Sequence, residues 1–347
     1  EAIRYVGVQL TRLGLAGHWL HLGVGNAVPM MTTAGLAAPV SHVTGIAAHG
    51  VPYLDAMAHH LLKKHNLHKR ATIIRQPVEQ VTVASGANEG AVRTSPSMAE
   101  EAKQLSSPAL ILVIDPDLFD EGLLGRRVLP YVRHARRTLC IPTPMVVPSR
   151  ARVFAMPIQL ETASASGFDL RELDAYRWST WYEEFDLKGK QERCCTELAE
   201  PQEVFLFDFC AEDVDTALPD SSKRTLEFEA LSSGTINAVA FWFELQMVEG
   251  FDANIETSAG TRNGVWRQAI QWLDPVAVSK GATIEIEASH NSTRIRYQLL
   301  APRRAAPIVH RHAIARWHFD MVADELRNGL YDGAIARAVV EMKAIRP

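Results

Sequence analysis

The sequence predicts an α/β domain built on a parallel sheet, followed by an antiparallel β domain. Three observations predict it. Over residues 1–145 short apolar runs alternate with amphipathic stretches, as strands joined by crossover helices do. Over 146–300 the runs are rich in β-branched and aromatic residues and separated by turn signals, the pattern of a barrel or sandwich. The chain has 347 residues, 47% of them hydrophobic and 22% charged, an ordinary globular balance that fills two cores at about 150 residues each.

Each element follows in order. Ile3, Val6, Leu10 and Leu13 share one face of a helix over Glu1–Leu13, because residues three and four apart are neighbours on a helix. His18–Gly25 is a strand running into a glycine turn, Met30–Ala37 its crossover helix and Val40–Ile46 the next strand. A His-rich amphipathic helix, Tyr53–Leu67, leads to strands at Ala71–Ile74 and Ala109–Ile114. Ser85–Ser107 is small and polar, a surface insertion, and Leu123–Leu139 is a helix that ends at the turn Ile141-Pro142-Thr143-Pro144. In the second half, strands are predicted at Met145–Glu161, Glu203–Phe209, Thr225–Glu229, Asn237–Met247, Arg267–Trp272, Thr283–Ala288 and Thr293–Leu300.

One segment breaks that rhythm. Leu170, Leu173, Tyr176, Trp178, Trp181, Tyr182 and Phe185 occur at mixed helical spacing within Gly167–Leu187. This predicts a helical insertion, an arm over about 167–198, that either packs on its own β domain or is buried by a partner. Residues 301–347 read as a helical tail, with a helix pair over Ala313–Ile345.

Composition excludes several classes. Lys and Arg total 36 against 40 Asp and Glu, a net charge of −4, so no global positive field points to nucleic acid. No apolar run reaches the roughly 18 residues of a membrane-spanning helix, and no signal-peptide pattern opens the chain. Since it opens on Glu1 rather than Met, a trimmed or processed start with residues missing upstream is expected. Cys140, Cys194, Cys195 and Cys210 form no CxxC pair, which fits a reduced, cytoplasmic chain. His59, His60, His65 and His68 lack Cys or carboxylate partners at ligand spacing. They read as a solvated helix face, with a metal site as the alternative; none is assigned. Arg303, Arg304, Arg311 and Arg316 beside Trp317 read as a solvated tail, with RNA contact as the alternative.

A strand, Gly23-Val24-Gly25 and a helix form the arrangement that lets backbone approach a nucleotide-like ligand. Its usual third glycine is Ala27, and the second strand ends Thr44-Gly45-Ile46-Ala47 with no carboxylate for ribose hydroxyls. A hydrogen bond to a charged group contributes about 1.5–3 kcal/mol, so that loss alone weakens binding by one to two decades.

The order of these elements resembles the protein arginine methyltransferase family over about residues 1–300. The blocks that carry the resemblance are Leu20-His21-Leu22-Gly23-Val24-Gly25, Thr72-Ile73-Ile74 through Val78-Glu79, and Asp117-Leu118-Phe119-Asp120-Glu121-Gly122-Leu123-Leu124-Gly125-Arg126-Arg127-Val128-Leu129-Pro130 with His134-Ala135. They continue at Val147-Pro148-Ser149-Arg150-Ala151, Asn237–Glu244 and Trp266-Arg267-Gln268. The resemblance implies a Rossmann-like S-adenosylmethionine domain over 1–145. It implies a β-barrel over 146–300 with an inserted helical dimerisation arm.

The departures fall on polar positions. The family grips its substrate guanidinium with two glutamates, which Asp117 and Arg126 match here. Charges about 4 Å apart interact by about 4 kcal/mol at an effective dielectric near 20, so reversing one is a swing of up to about 8 kcal/mol. That corresponds to at most five to six decades in rate. Glu121 is the one neighbour that could restore an acidic pair. The family's Thr-His-Trp loop reads Gly264-Val265-Trp266, its cofactor-strand aspartate is His21, and Ala47 holds the ribose-carboxylate position. The resemblance is therefore to the catalytically silent prozyme paralogues of kinetoplastids. It implies no catalytic residue, no bound cofactor at His21, Gly23, Gly25, Ala27 and Ala47, and a regulatory role. The partner would be an active paralogue, met in a hetero-dimer or hetero-tetramer through Leu170, Leu173, Trp178, Trp181, Tyr182 and Phe185. An active methyltransferase with Asp117 and Glu121 as its acidic pair, or an RNA-binding component of the same complex, are the alternatives.

Overall fold

The structure, a computed structural model, describes residues 1–25, 27–36, 40–47, 52–84, 104–162, 169, 172, 181–187, 193–261, 265–302, 321 and 324–345. The N-terminal half is a parallel sheet. Its strands are β1 (Gly17–Leu22), β2 (Val40–Ile46), β3 (Ala71–Ile74), β6 (Ala109–Ile114) and β7 (Cys140–Val147), in the order β3-β2-β1-β6-β7. Between β3 and β6 a small ladder pairs β4 (Thr82–Val83) with β5 (Gln104–Leu105). All five principal strands pair in parallel. Helices α1 (Ala2–Arg12), α2 (Val28–Gly35) and α3 (Pro52–Lys64) are the covering layer of one face.

Both faces of the sheet are buried, which accounts for the continuous apolar runs. Trp19, Val43, Ile111 and Val113 pack with Val6, Leu10, Met30 and Leu62 of the helices. Leu20, Leu22, Leu112 and Ile114, pointing the other way, join Leu129, Val132 and the β half. The chain leaves β1 towards β2 on one side and returns to β6 on the other. A crevice therefore opens past the C-terminal ends of β1 and β6, where ligands of such sheets bind.

The second half is antiparallel: β8 (Arg150–Thr162), β9 (Tyr182–Phe185), β10 (Arg193–Glu197), β11 (Gln202–Asp208), β12 (Ser221–Glu229), β13 (Gly234–Val248), β14 (Phe251–Glu256), β15 (Gln268–Val278), β16 (Thr283–Asn291) and β17 (Arg294–Ala301). Seven strands run β10-β8-β13-β15-β9 with β11 and β14 attached, and β12-β16-β17 form a second sheet. Phe205 meets His290 with ring centroids 4.8 Å apart, and Phe241 meets Tyr297 at 5.1 Å. Gln271 bridges the sheets by donating to Tyr297 O and accepting from Tyr297 N. The expected barrel is thus two facing sheets; no closed ladder joins them among the described residues.

Three expectations are corrected. The helix expected over Leu123–Leu139 is α4 (Val128–His134) followed by a wider π-turn, Ala135–Leu139, and it starts late because Arg127 is left-handed at φ 64°. The turn expected at Ile141–Pro144 lies inside β7. There the register with β6 shifts between Ala109 and Ile111, so the prolines, which cannot donate to a ladder, sit in a bulge. Within the expected helical arm, Tyr182–Phe185 and Arg193–Glu197 are strands, because β9 pairs with β15 and β10 with β8. Of the helix pair expected over Ala313–Ile345, the second is described at Glu325–Ile345, and residues 313–320 of the first lie outside the described residues. Leu170, Leu173, Trp178, Gly264 and the tail residues Arg303, Arg304, Arg311, Arg316 and Trp317 lie outside the described residues. No described helix is long and apolar enough to cross a membrane. No group of three metal-ligating side chains forms among the described residues.

Candidate functional site

Gly23 and Gly25 form the floor of the crevice. Both are left-handed, at φ 85° and 45°, a conformation glycine takes without a Cβ penalty. Ala27 takes the same conformation at φ 63°, at a cost of about 1–2 kcal/mol for a residue with a side chain. It is fully buried and donates to Val24 O at 2.7 Å, closing the turn into α2. Gly45, on β2, has no room for a Cβ, which would lie 2.8 Å from Met30 Sδ and 2.9 Å from Val24 Cγ2. Ala47 donates to Ile74 O at 2.9 Å and presents only a methyl group.

His21 is fully buried beneath the turn. Thr33 Oγ1 donates to Pro29 O at 3.1 Å and so accepts from His21 Nε2 at 2.9 Å. That fixes the proton on Nε2 and leaves Nδ1 without a partner. Burial pushes this imidazole down to about 3. At the opposite, N-terminal end of β1, His18 donates from Nδ1 to Ser107 O and accepts from Thr44 Oγ1, both at 2.8 Å. Burial lowers it to about 4.

The loop after β6 meets this turn because Asp115 N donates to Leu22 O at 2.8 Å and Gly23 N to Ile46 O at 3.0 Å. Asp115 is 3% exposed, and its Oδ1 accepts from Asp117 N at 3.3 Å. Asp115 Oδ2 and Asp117 Oδ1 are buried with no hydrogen-bond partner outside the acid pair, whose two side chains bond to each other. Burial and the adjacent Asp117 charge push the Asp115 carboxyl up to about 8, so one proton stays on the pair at neutral pH.

Further along, Arg126 is exposed and its Nη1 donates to Asp117 O at 2.7 Å. Asp120 accepts from Gly125 N at 2.9 Å and from the Tyr182 hydroxyl at 2.6 Å. Burial and the Asp120 charge hold that hydroxyl well above the usual tyrosine range. Gly122 leaves room for the Tyr182 ring, since a Cβ there would fall 2.3 Å from its Cζ. Trp266 Nε1 donates to Phe119 O at 3.0 Å, while Val265 is 71% exposed.

Relatives bear on this arrangement. No family model matches the chain. It is 26% identical over 255 residues to protein arginine N-methyltransferase 1.6 of Arabidopsis thaliana, covering 65% of this chain and 33% of that protein. It is 24% identical over 264 residues to an arginine N(omega)-methyltransferase of Streptomyces achromogenes, covering 72% and 62%. It is 25% identical over 211 residues to protein arginine N-methyltransferase 7 of Caenorhabditis briggsae, covering 56% and 32%. The match thus spans from a third to under two thirds of these relatives' lengths. The fold is similar, with a TM-score of 0.60 at 15% identity, to a chain of the Trypanosoma brucei PRMT1 enzyme–prozyme heterotetrameric complex with AdoHcy, over 89% of this chain and 91% of that one.

The chain is thus similar in sequence to arginine methyltransferases of several organisms and shares the fold of one. Against the family pattern, Asp117 and Arg126 meet, but through a guanidinium on a main-chain carbonyl. His21, Gly23, Gly25 and Ala27 gather around the turn and Ala47 lies at the end of the neighbouring β2. Val265 projects into solvent, and Trp266 is tied to the loop.

Two of the residues expected on the arm are turned inward instead. Phe185 is buried with Met156, Ile158 and Ile270, and Tyr182 is locked to Asp120 against the Phe241 ring. Trp181 keeps 50% of its surface and lies beneath Arg294, 3.0 Å from guanidinium carbon to ring centroid. Sequence reasoning missed Asp115 and the role of Tyr182. The available signal for Asp115 was Asp-Pro-Asp directly after an apolar strand, which also reads as a turn cap.

Proposed function

We propose that the chain is a catalytically silent arginine methyltransferase paralogue that binds and activates an active one, as a cytoplasmic hetero-dimer or hetero-tetramer. The observation that carries this reading is the Arg126 guanidinium on Asp117 O, 2.7 Å away. It puts a fixed positive charge where a cationic substrate would need an acid. Val265 and Ala47 support the reading, since neither side chain can hydrogen bond. The similarity to a complex described as enzyme–prozyme fits a hetero-oligomer. No S-adenosylmethionine is expected to bind, because the crevice offers no ribose carboxylate and turns two carboxyl groups onto the glycine turn. The apolar framework meanwhile is intact through both halves, as retention for assembly requires.

The test is purification with an active arginine methyltransferase from the same cell. Methyl transfer by that enzyme should rise at least about tenfold on adding this chain. Replacing Trp178 and Trp181 by Ala should abolish both complex and activation. Transfer of radiolabel to a peptide by the isolated chain would overturn the proposal and restore the reading as an active methyltransferase.

A further inference from the structure

The crevice contains more than missing groups. A Cβ on Gly23 would lie 2.5 Å from Asp117 Oδ1 and 2.9 Å from Asp115 Cβ. One on Gly25 would lie 3.3 Å from Asp115 Oδ1 and 3.3 Å from Asp117 Oδ2. The two acids are therefore seated directly on the glycine turn, filling the space its lack of side chains creates. They are held there from both sides. Asp115 N is bonded to the end of β1, Asp115 Oδ1 receives Asp117 N, and Asp117 O receives Arg126. Each acid still has one buried oxygen with no partner outside the pair, which a merely structural turn cap does not require.

We infer that Asp115 and Asp117 form a built-in stopper. Their carboxyl groups occupy the approach by which an adenosyl amino-acid sulfonium would reach the backbone of the Gly23–Gly25 turn, and keep the isolated chain's crevice shut. This deepens the proposed function and rests on it. The pair acts by bulk, because the turn has no space for both its own acids and a ligand. Arg126 contributes as a positioning residue, holding the Asp117 main chain so that the side chain faces the turn.

Calorimetric titration of the full chain with S-adenosylmethionine, and separately with S-adenosylhomocysteine, tests this. The wild-type chain should bind neither below about 1 mM, and Asp115→Ser/Asp117→Ser should bind at least about tenfold more tightly. Circular dichroism confirms that the variant is folded. Should the double variant not fold, Asp117→Ser alone carries the same expectation. Carbon-detected NMR of the wild-type chain should also show one aspartate titrating near pH 8. A folded variant that binds no better than wild type overturns the stopper, as does wild-type binding in the micromolar range or ordinary titration of every aspartate. The two ideas fail separately. A wild-type chain that binds the donor yet activates a partner removes the stopper alone, and a stoppered chain that activates nothing removes the subunit alone.

Discussion

Polar side chains are buried in both halves of the molecule, but on different terms. In the antiparallel half, Thr257 Oγ1 accepts from Phe243 N and donates to Phe243 O. Gln268 bonds Thr257 O and Leu187 N, and Asn237 bonds both main-chain groups of Leu160. Only the neutral hydroxyls of Tyr297 and Ser232 lack partners there among the described residues. In the crevice, ionisable His21 is buried with one nitrogen unpaired, and Asp115 is buried against the charge of Asp117. Satisfied amides specify a core, whereas unpaired ionisable groups cost stability and persist where something other than stability keeps them. The antiparallel half is built to be rigid, and the crevice is built around two acids and a histidine that fold stability alone would not select.

Three measurements bear on that contrast, the first with the largest expected effect. Stability should depend on pH more through the parallel half than through the β half, where burial lowers His290 and raises Glu244. Folded His18 and His21 protonate near 4 and 3 instead of 6.5, so the stability they allow is present above pH 6.5 and falls as pH drops through those values. Each unit of displacement is worth about 1.4 kcal/mol, several kcal/mol together. Asp115 has the opposite sign. Its folded value near 8 lies above the usual 3.8, so its contribution is full below pH 4 and is lost as pH rises towards 8. Asp115→Asn should therefore flatten the alkaline limb and stabilise the chain by about 2–4 kcal/mol at pH 8, with little change at pH 4. Urea unfolding across pH reads both limbs, and a flat profile would dissolve the contrast.

Thr257→Val should act in the reverse direction. It keeps the shape and strips the hydrogen bonds to Phe243, for a loss of about 1–3 kcal/mol independent of pH. Equal gains from Asp115→Asn and Thr257→Val would mean the two halves do not differ. The smallest effect is expected at Arg127→Ala. Its ion pair with Glu79, at 2.9 Å, is largely exposed on both sides, and its loss should shift stability by less than about 0.5 kcal/mol.

The sequence made some of this legible and hid the rest for identifiable reasons. Strands β1, β2, β3 and β6 were readable because each is an apolar run bounded by turn residues, the mark of a strand buried on both faces. β7 was hidden by Pro142 and Pro144, whose missing N–H groups suggest a turn unless the bulge opposite β6 is known. Tyr182 and Phe185 are three apart, a helical spacing, and only the distant residues Gln268 and Gln271 make that stretch a strand. The polar departures at Asp117, Arg126, His21 and Ala47 were visible one residue at a time. Their geometry was not, because which way Asp117 turns depends on two glycines over ninety residues earlier in the chain.

Tyr182 on β9 grips Asp120, and Trp266, just before β15, grips Phe119. Two hooks from the antiparallel half thus hang on adjacent residues of a single strap belonging to the parallel half. Neither half can slide past the other without dragging that strap off the glycine floor. The edge strand β9 is therefore coupled, through the Tyr182–Asp120 hydrogen bond, to the loop at the mouth of the crevice.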